Sequence, residues 1–255
     1  MTIRESWAAL SWATTQLMYK RVYMAPRPVI ITDSQDEIDR AEDKRIAVIG
    51  YEHDAVRLSA GFIITDLSAA DQEYIKEVHD LSYRIPKEIL ETDRTLIRQL
   101  DPEKDIYALF NLYQMPGVTD YVEPLFPFLK EKAYEQDYFD NIYRFYDFGM
   151  WNVFLKATGA LIGRCGLEYK ALPGSDDGAE WLELGYLLSP DMWRQGIGYE
   201  ITEAVLGLAE AKGHSHFFAR IAEENVASVA LAKKLGFIRK QRIEKSSEDL
   251  WVLII

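Results

Sequence analysis

The 255-residue sequence has one cysteine, Cys165, no long hydrophobic run and fewer basic than acidic residues. A single cysteine excludes a disulfide within the chain. A membrane-spanning helix needs roughly 20 consecutive apolar residues, and no such stretch occurs. Polar residues, among them Glu5, interrupt the apolar ones in residues 1–20, which therefore lack the pattern of a secretion signal. We expect a soluble cytoplasmic protein.

The charge balance bears on the partners of the protein. Lysine and arginine total 29 against 41 aspartates and glutamates, for a net charge of −12. Nucleic-acid binding depends on neutralising phosphates with basic side chains, so we expect no nucleic-acid partner. The charge suits a cationic acceptor such as an amine or a basic peptide, and it is equally consistent with a role in solubility alone.

The N-terminal third alternates short apolar runs with helical patterns, which predicts a small, mostly parallel α/β unit. The expected elements are a loose helix at 5–23, strands at 28–33, 45–50 and 61–66, and helices at 34–44 and 69–85. This part contains no phosphate-binding loop or paired-aspartate motif, so its role stays unknown. Pro86 and the polar stretch after it predict a domain boundary near residue 90.

Beyond this boundary the pattern changes to one that predicts a largely antiparallel sheet with helices on its faces. The expected elements are strands at 94–100, 179–189, 214–222 and 237–244, a hairpin at 151–170, and helices at 101–115, 199–212 and 225–236. Residues 121–148 are dense in aromatic side chains.

Two glycines, Gly196 and Gly198, stand just before the helix predicted at 199–212. The start of a helix has unpaired N–H groups and a partial positive charge. Glycines there let the backbone approach an anion closely. Strand, glycine loop and helix N-terminus therefore predict a cradle for a phosphate or pyrophosphate.

Three linked motifs resemble the GNAT superfamily of acyl-CoA-dependent N-acetyltransferases. They are Trp193–Gly198, which matches the family's pyrophosphate loop, the strand Glu183–Tyr186 before it, and Asn225–Phe237 after it. The tryptophan at 193 is similar to the branch of ribosomal-protein N-terminal acetyltransferases. The resemblance covers about residues 92–255.

The resemblance implies an α/β (α+β) chain with two parts. Residues 1–90 would form the N-terminal α/β segment, and residues 91–255 a GNAT domain with a central, mostly antiparallel sheet flanked by helices. The domain would use acetyl-CoA as co-substrate, with no metal. A homodimer is left open.

The resemblance also assigns the residues that hold the co-substrate. A bulge is expected to splay the fourth strand of the domain from the next strand and open a V-shaped cleft. The pantetheine arm would lie beside Leu187, Leu188 and Ser189. The backbone of the glycine loop would hold the pyrophosphate, through Arg194, Gln195, Gly196, Ile197, Gly198 and Tyr199. Asn225 would hydrogen-bond the arm.

The chemistry implied is attack of a neutral amine on a thioester, with a carboxylate taking the amine's proton. Glu183 is the first candidate for this base and Glu168 the second. Many family members have a tyrosine that protonates the leaving thiolate, but Ala232 stands there in this chain. Ser228 or a water would serve instead, or the thiolate would leave unaided.

In the family that this chain resembles, the segment equivalent to residues 121–148 lines the acceptor side of the site. We expect Tyr121, Glu123 and Trp151 to form the wall of the acceptor site. The acceptor is a protein N-terminus or a small-molecule amine. A second hypothesis is a CoA-binding sensor without turnover, whose N-terminal part docks a partner. His214 and His216 alternate along a predicted strand and are expected to be structural.

Overall fold

The computed structural model describes residues 20–24, 27–175, 178–243 and 246–255. The chain divides between Ile85 and Pro86 into two compact units. Within the described ranges, no helix combines the length and the apolar character that a membrane span requires.

The first unit contains a four-stranded sheet in the order β1-β2-β3-β4. Its elements are β1 (Lys20–Met24), β2 (Arg27–Thr32), α1 (Gln35–Asp43), β3 (Ala47–Tyr51), β4 (Ile63–Ile64), a 3₁₀ turn (Leu67–Ala69) and α2 (Gln72–Ser82). β3 is parallel to β2 and β4, whereas β1 is antiparallel to β2. The Asp71 carboxylate caps α2 by accepting from the N–H of Tyr74.

The loose helix predicted over residues 5–23 is wrong at its C-terminal end, because Lys20–Met24 form a strand. Pairing with β2 over five residue pairs overrides the weak helical pattern there. Residues 1–19, where the rest of that prediction falls, lie outside the described residues.

The second unit contains an eight-stranded sheet in the order β11-β12-β10-β9-β8-β7-β6-β5. The strands are β5 (Glu88–Glu91), β6 (Thr95–Arg98), β7 (Met150–Leu155), β8 (Leu161–Tyr169), β9 (Leu182–Leu188), β10 (His216–Ala222), β11 (Ile238–Arg242) and β12 (Glu248–Ile254). The helices are α3 (Ile106–Tyr113), α4 (Phe128–Tyr138), α5 (Ile197–Ala211) and α6 (Val226–Lys234). A π-helical turn (Phe139–Tyr143) extends α4, and a 3₁₀ turn (Pro190–Met192) precedes α5.

Neighbouring strands of this sheet are antiparallel except for β9 and β10. The mostly antiparallel sheet with its helices confirms the predicted fold class. Two of its strands were not predicted. β5 lies in the polar stretch after Pro86, and the boundary predicted near residue 90 falls inside it. β12 inserts between β10 and β11 and carries Asp249, which pairs with Arg239.

The face of the sheet against α4 holds a buried ion pair. Arg164 of β8 donates from its guanidinium to both oxygens of Glu135, at 2.9 and 3.4 Å. The two side chains are 8% and 0% exposed. Burial lowers the pKa of Arg164, but the charge of Glu135 outweighs it and holds the pKa well above its ordinary value. The pair fixes α4 against β8.

We predict that replacing Glu135 by glutamine destabilises the protein strongly. The change keeps the shape of the side chain but leaves the Arg164 guanidinium buried without a counter-charge, which costs about 3–5 kcal/mol. Glu103→Gln is the control, since Glu103 pairs with Lys132 at 59% exposure and such pairs contribute at most about 1 kcal/mol. Urea unfolding measures both, and equal losses would contradict the account.

We propose that the two units are separate domains, and we predict that residues 86–255 fold alone. This fragment retains the whole eight-stranded sheet. A fragment of residues 92–255 lacks β5 and exposes the edge of β6, so it should unfold at a lower temperature. Circular dichroism during heating tests both fragments. Aggregation of the 86–255 fragment under conditions that keep the full chain dispersed would indicate a shared core.

Candidate active site

The site begins where β9 and β10 separate. Their parallel ladder consists of two residue pairs, Leu182 with Phe217 and Glu183 with Phe218. β9 nevertheless stays paired with β8 as far as Leu188, and β10 stays paired with β12 as far as Ala222. The two strands therefore diverge after Glu183 and leave a cleft between them. The register of β9 with β8 is unbroken, so the divergence does not come from a bulge in that ladder.

The backbone of β9 alternates between β8 and this cleft. The N–H of Ser189 donates to Ile162 O at 2.7 Å. Since hydrogen-bonding direction alternates along an antiparallel strand, Leu187 also turns its N–H and C=O toward β8. Tyr186 and Leu188 turn theirs toward the cleft. Of the three residues predicted to line the pantetheine arm, only Leu188 turns its backbone groups toward the cleft, whereas Leu187 and Ser189 face β8. Tyr186, which was not predicted, also faces the cleft.

The loop after β9 leads directly into α5. Trp193 donates from its indole N–H to Leu188 O at 2.8 Å, which anchors the loop to the strand end. Gly196 is the N-cap of α5 with φ +80°, a left-handed conformation that disfavours other residues. Glu200 N–H bonds to Gly196 O at 3.1 Å. The N–H groups of residues 197–199 precede that bond and lie at the free N-terminus of the helix.

Gly198 lies inside the first turn of α5, beside the end of β9. A Cβ added there would be 3.4 Å from Leu231 of α6 and 3.7 Å from Leu188, which are ordinary contacts. The position therefore tolerates a small side chain sterically. The conformation at Gly198 therefore does not require glycine, in contrast to that at Gly196.

Arg94, which was not predicted as a site residue, lies in the turn between β5 and β6 and holds the loop before α5. Its guanidinium donates to Gln195 O at 2.9 Å and to the Glu200 carboxylate at 2.7 Å. Thr92 also donates to that carboxylate, at 2.5 Å. Burial raises the pKa of Glu200, but the bonds from Thr92 and Arg94 outweigh it and lower that pKa. Arg94 and Glu200 are 106 residues apart, and no local pattern indicates their contact.

Helix α6 contacts β9 through the side chain of Tyr186. The Asn225 side chain caps α6, accepting from the N–H of Ser228 at 3.1 Å. The hydroxyl of Tyr186 donates to the Ser228 Oγ at 2.8 Å. Burial raises the pKa of Tyr186 to about 12. The two predicted residues, Asn225 and Ser228, thus lie together beside the cleft strand.

The two candidate bases face each other. Glu168 of β8 is directly opposite Glu183 of β9, and paired residues share a face of the sheet. Lys170 bridges them, with its Nζ 2.9 Å from each carboxylate. Arg220 of β10 contacts the other oxygen of Glu183 at 2.5 Å, and the Tyr138 hydroxyl donates to Glu168 at 2.7 Å. The cluster lies where the β9–β10 ladder ends.

The pKa shifts follow from these contacts. Burial raises the pKa of Glu168, but hydrogen bonds from Tyr138 and Lys170 outweigh it and lower that pKa. Burial lowers the pKa of Lys170, whereas its bonds to Glu183 and Glu168 raise it above its ordinary value. The bond to Glu183 raises the pKa of Arg220. All three side chains are held in their charged forms at neutral pH.

The residues predicted for the acceptor wall lie in different settings. The Tyr121 hydroxyl donates to Glu224 O at 3.1 Å, so the loop before α4 reaches the end of β10. For Glu123 the link is electrostatic: the bond to Glu183 chiefly raises the pKa of Arg220, and the charge of Glu123 adds to this. Trp151 differs from expectation, because its side chain is 1% exposed and packs in the core against Phe148. We do not assign it to the acceptor site.

His214, His216 and Cys165 are packed against other side chains, which indicates a structural role for each. His214 packs edge-on against Phe148 at 5.1 Å, and His216 against Trp181 at 5.0 Å. Cys165 is fully buried, which raises the pKa of its thiol. Across the described ranges, no group of three or more His, Cys, Asp or Glu side chains is arranged to hold a metal ion.

The sequence of this chain is similar to those of known acetyltransferases. The family model for the acetyltransferase (GNAT) domain matches residues 94–238. The uncharacterized N-acetyltransferase YoaA of Bacillus subtilis (strain 168) is 30% identical over 155 residues, which are 58% of this chain and 82% of that protein.

Solved structures show the same fold. An acetyltransferase from Agrobacterium tumefaciens str. C58 superposes with a TM-score of 0.52 at 21% identity, covering 64% of this chain and 92% of its own. RimL, a ribosomal L7/L12 α-N-protein acetyltransferase in complex with coenzyme A, superposes with a TM-score of 0.51 at 17% identity, covering 66% and 98%. The match over more than half of the chain confirms the resemblance read from its motifs: the protein belongs to the GNAT acetyltransferase family and is an acyltransferase.

Proposed function

We propose that the protein transfers the acetyl group of acetyl-CoA to a primary amine. Acetyl-CoA is the donor used by GNAT acetyltransferases, and it supplies an activated acetyl thioester. One observation carries the proposal: Glu183 lies both at the start of the β9–β10 cleft and in the carboxylate cluster. Donor cleft and candidate base are thus adjacent.

The described residues fit the donor in three places. Tyr186 and Leu188 offer backbone groups that can pair with the pantetheine amides as another strand would. The amides of Ile197, Gly198 and Tyr199 offer donors at a helix N-terminus, which suits a pyrophosphate. Asn225 uses its carbonyl to cap α6, so its amide nitrogen can donate to the arm. Arg194 and Gln195 contribute through the loop backbone.

The chemistry requires removal of a proton from the acceptor, because an alkylammonium has no free electron pair. Glu183 is the proposed base, since it is the last residue of β9 paired with β10 and faces the start of the cleft. Glu168 is the alternative, on the same face of the sheet. Ser228 or a water would protonate the departing thiolate, unless it leaves unaided.

Two classes of acceptor fit the proposed chemistry. The named activity of RimL supports a protein N-terminus, whereas the two carboxylates, Glu168 and Glu183, would equally bind a small-molecule amine. The alternative of a CoA-binding sensor without turnover is not adopted, because the chain belongs to a family of acyltransferases. Thiol release from acetyl-CoA with n-butylamine, benzylamine, spermidine and a tripeptide with a free N-terminus distinguishes the two classes of acceptor. Acetylated product in the mass spectrum identifies the acceptor that is used, and no thiol release with any of them would contradict the proposal.

We predict that Gly198→Asp abolishes CoA binding while the fold is retained. The added Cβ fits, and a carboxylate in the first turn suits the helix, but its charge lies where the pyrophosphate should bind. Gly198→Ala is the control, because it adds the Cβ without the charge. Calorimetry should show CoA affinity reduced on the order of 100-fold or more for aspartate, about 2.7 kcal/mol, and nearly unchanged for alanine. Normal affinity in the aspartate variant would refute the site.

We also predict that Glu183→Gln lowers kcat/KM for the amine by about 10²–10⁴-fold, the usual contribution of general-base catalysis. The affinity for acetyl-CoA should stay nearly constant. The residual rate should rise with pH, because the fraction of neutral amine increases. Glu168→Gln is the matched variant and should have a much smaller effect. Near-normal kcat/KM in Glu183→Gln at pH 7 would contradict the assignment, and a larger loss in Glu168→Gln would move the role to β8.

A further inference from the structure

Lys170 occupies an unusual position in the proposed acetyltransferase site. Its ammonium bridges the two candidate bases, Glu168 and Glu183, at 2.9 Å from each. A primary amine substrate arrives at neutral pH as the same chemical group, an alkylammonium. The structure therefore already shows how this site coordinates an alkylammonium, with a side chain of the protein as the occupant.

Burial differs sharply between the partners. The carboxylate side chains of Glu168 and Glu183 are 28% and 11% exposed, whereas the side chain of Lys170 is 46% exposed. Glu183 comes from the middle of the sheet, and Glu168 is further held by Tyr138. Lysine has a long, flexible stem whose charged end is readily hydrated. The cation can thus leave for solvent while the two carboxylates stay in place.

An open cavity adjoins this position. It has a volume of about 590 Å³, and its walls include Phe145, Tyr146, Tyr169, Lys170 and Trp181. Neither Glu168 nor Glu183 is among its described lining residues. Lys170 is thus the residue that belongs both to the cavity wall and to the carboxylate cluster. Aromatic faces attract ammonium groups as well as apolar stems, so this wall suits an organic amine.

We propose that Lys170 is a resident occupant of the acceptor's ammonium position, and that an acceptor entering from the aromatic cavity must displace it. The inference rests on the proposed function and specifies its acceptor as an alkylammonium whose N–H groups bind both carboxylates. Lys170 is then a positioning residue that, together with Arg220 on Glu183, neutralises the two carboxylates in the resting enzyme and sets a threshold for acceptor binding.

The kinetic test uses Lys170→Gln in the full chain, with the best acceptor of the amine panel at saturating acetyl-CoA. Loss of the resident cation should lower KM for the amine on the order of tenfold, equivalent to about 1.4 kcal/mol, and leave KM for acetyl-CoA unchanged. Lys170→Arg, which keeps a cation, should not lower the amine KM. Lys132→Gln, which breaks a peripheral pair with Glu103, is the control. An unchanged or raised amine KM in Lys170→Gln would overturn the inference while the proposed function stands.

A second measurement does not depend on turnover. In protein labelled with ¹³Cε-lysine, the Lys170 resonance is identified by its loss in Lys170→Arg. Titration with n-butylammonium chloride should move it toward the position of exposed lysines. Tetramethylammonium chloride at equal ionic strength should not, because it has no N–H to donate. Equal effects of both salts, or none, would overturn the inference. Absence of turnover with every amine, by contrast, would contradict the proposed function, and the titration would still decide the role of Lys170.

Discussion

The short ladder between β9 and β10 is the constraint on which the rest of the site depends. Two strands that stop pairing after Glu183 leave the backbone groups of Tyr186 and Leu188 without a strand partner. Unpaired backbone groups are costly when they are buried, so other groups must satisfy them. The indole of Trp193 satisfies the Leu188 carbonyl. An amide-bearing ligand in the cleft would satisfy the others, which is why we propose that the donor binds there.

Hydrogen bonds from the surrounding elements fix the positions of the loop and the helices around this cleft. Arg94, from the turn before β6, holds Glu200 and the carbonyl of Gln195, so the N-terminus of α5 cannot rotate independently of the sheet. Tyr186 and Ser228 link the cleft strand to α6. The loop, strand and helix thus form one polar framework around the cleft, built from residues that are far apart in sequence.

The face of the sheet that carries Glu183 holds two clusters of charged side chains. Glu135 pairs with Arg164, Tyr138 of the same helix donates to Glu168, and Lys170 joins Glu168 to Glu183. Each carboxylate therefore has a donor or a cation beside it, which keeps buried charge tolerable. The proposed base, Glu183, therefore has two cations beside it, Lys170 and Arg220, before any acceptor arrives.

The sequence predicted the parts of this site that depend on local pattern. The glycines before α5 and the strand that contains Glu183 were predicted from local pattern, because tight turns and strands impose local chemical requirements. Asn225 was singled out through the family resemblance as a contact of the donor, and its capping of α6 was not predicted. Long-range features were not predictable in this way. β12 inserts between β10 and β11, and the register that brings Glu168 opposite Glu183 is set by the whole hairpin. The burial of Trp151 likewise follows from packing, which no spacing pattern reports.

The central claim is that the β9–β10 cleft and the N-terminus of α5 hold the CoA donor. Residue-resolved hydrogen exchange of the full chain, with and without CoA, tests it most directly. The account predicts that CoA slows exchange of the amides of Tyr186, Leu188 and residues 197–199, while the amides of β5 and β11 at the sheet edges are unaffected. Protection confined to the aromatic cavity, or none at the cleft under conditions where CoA binds, would contradict it.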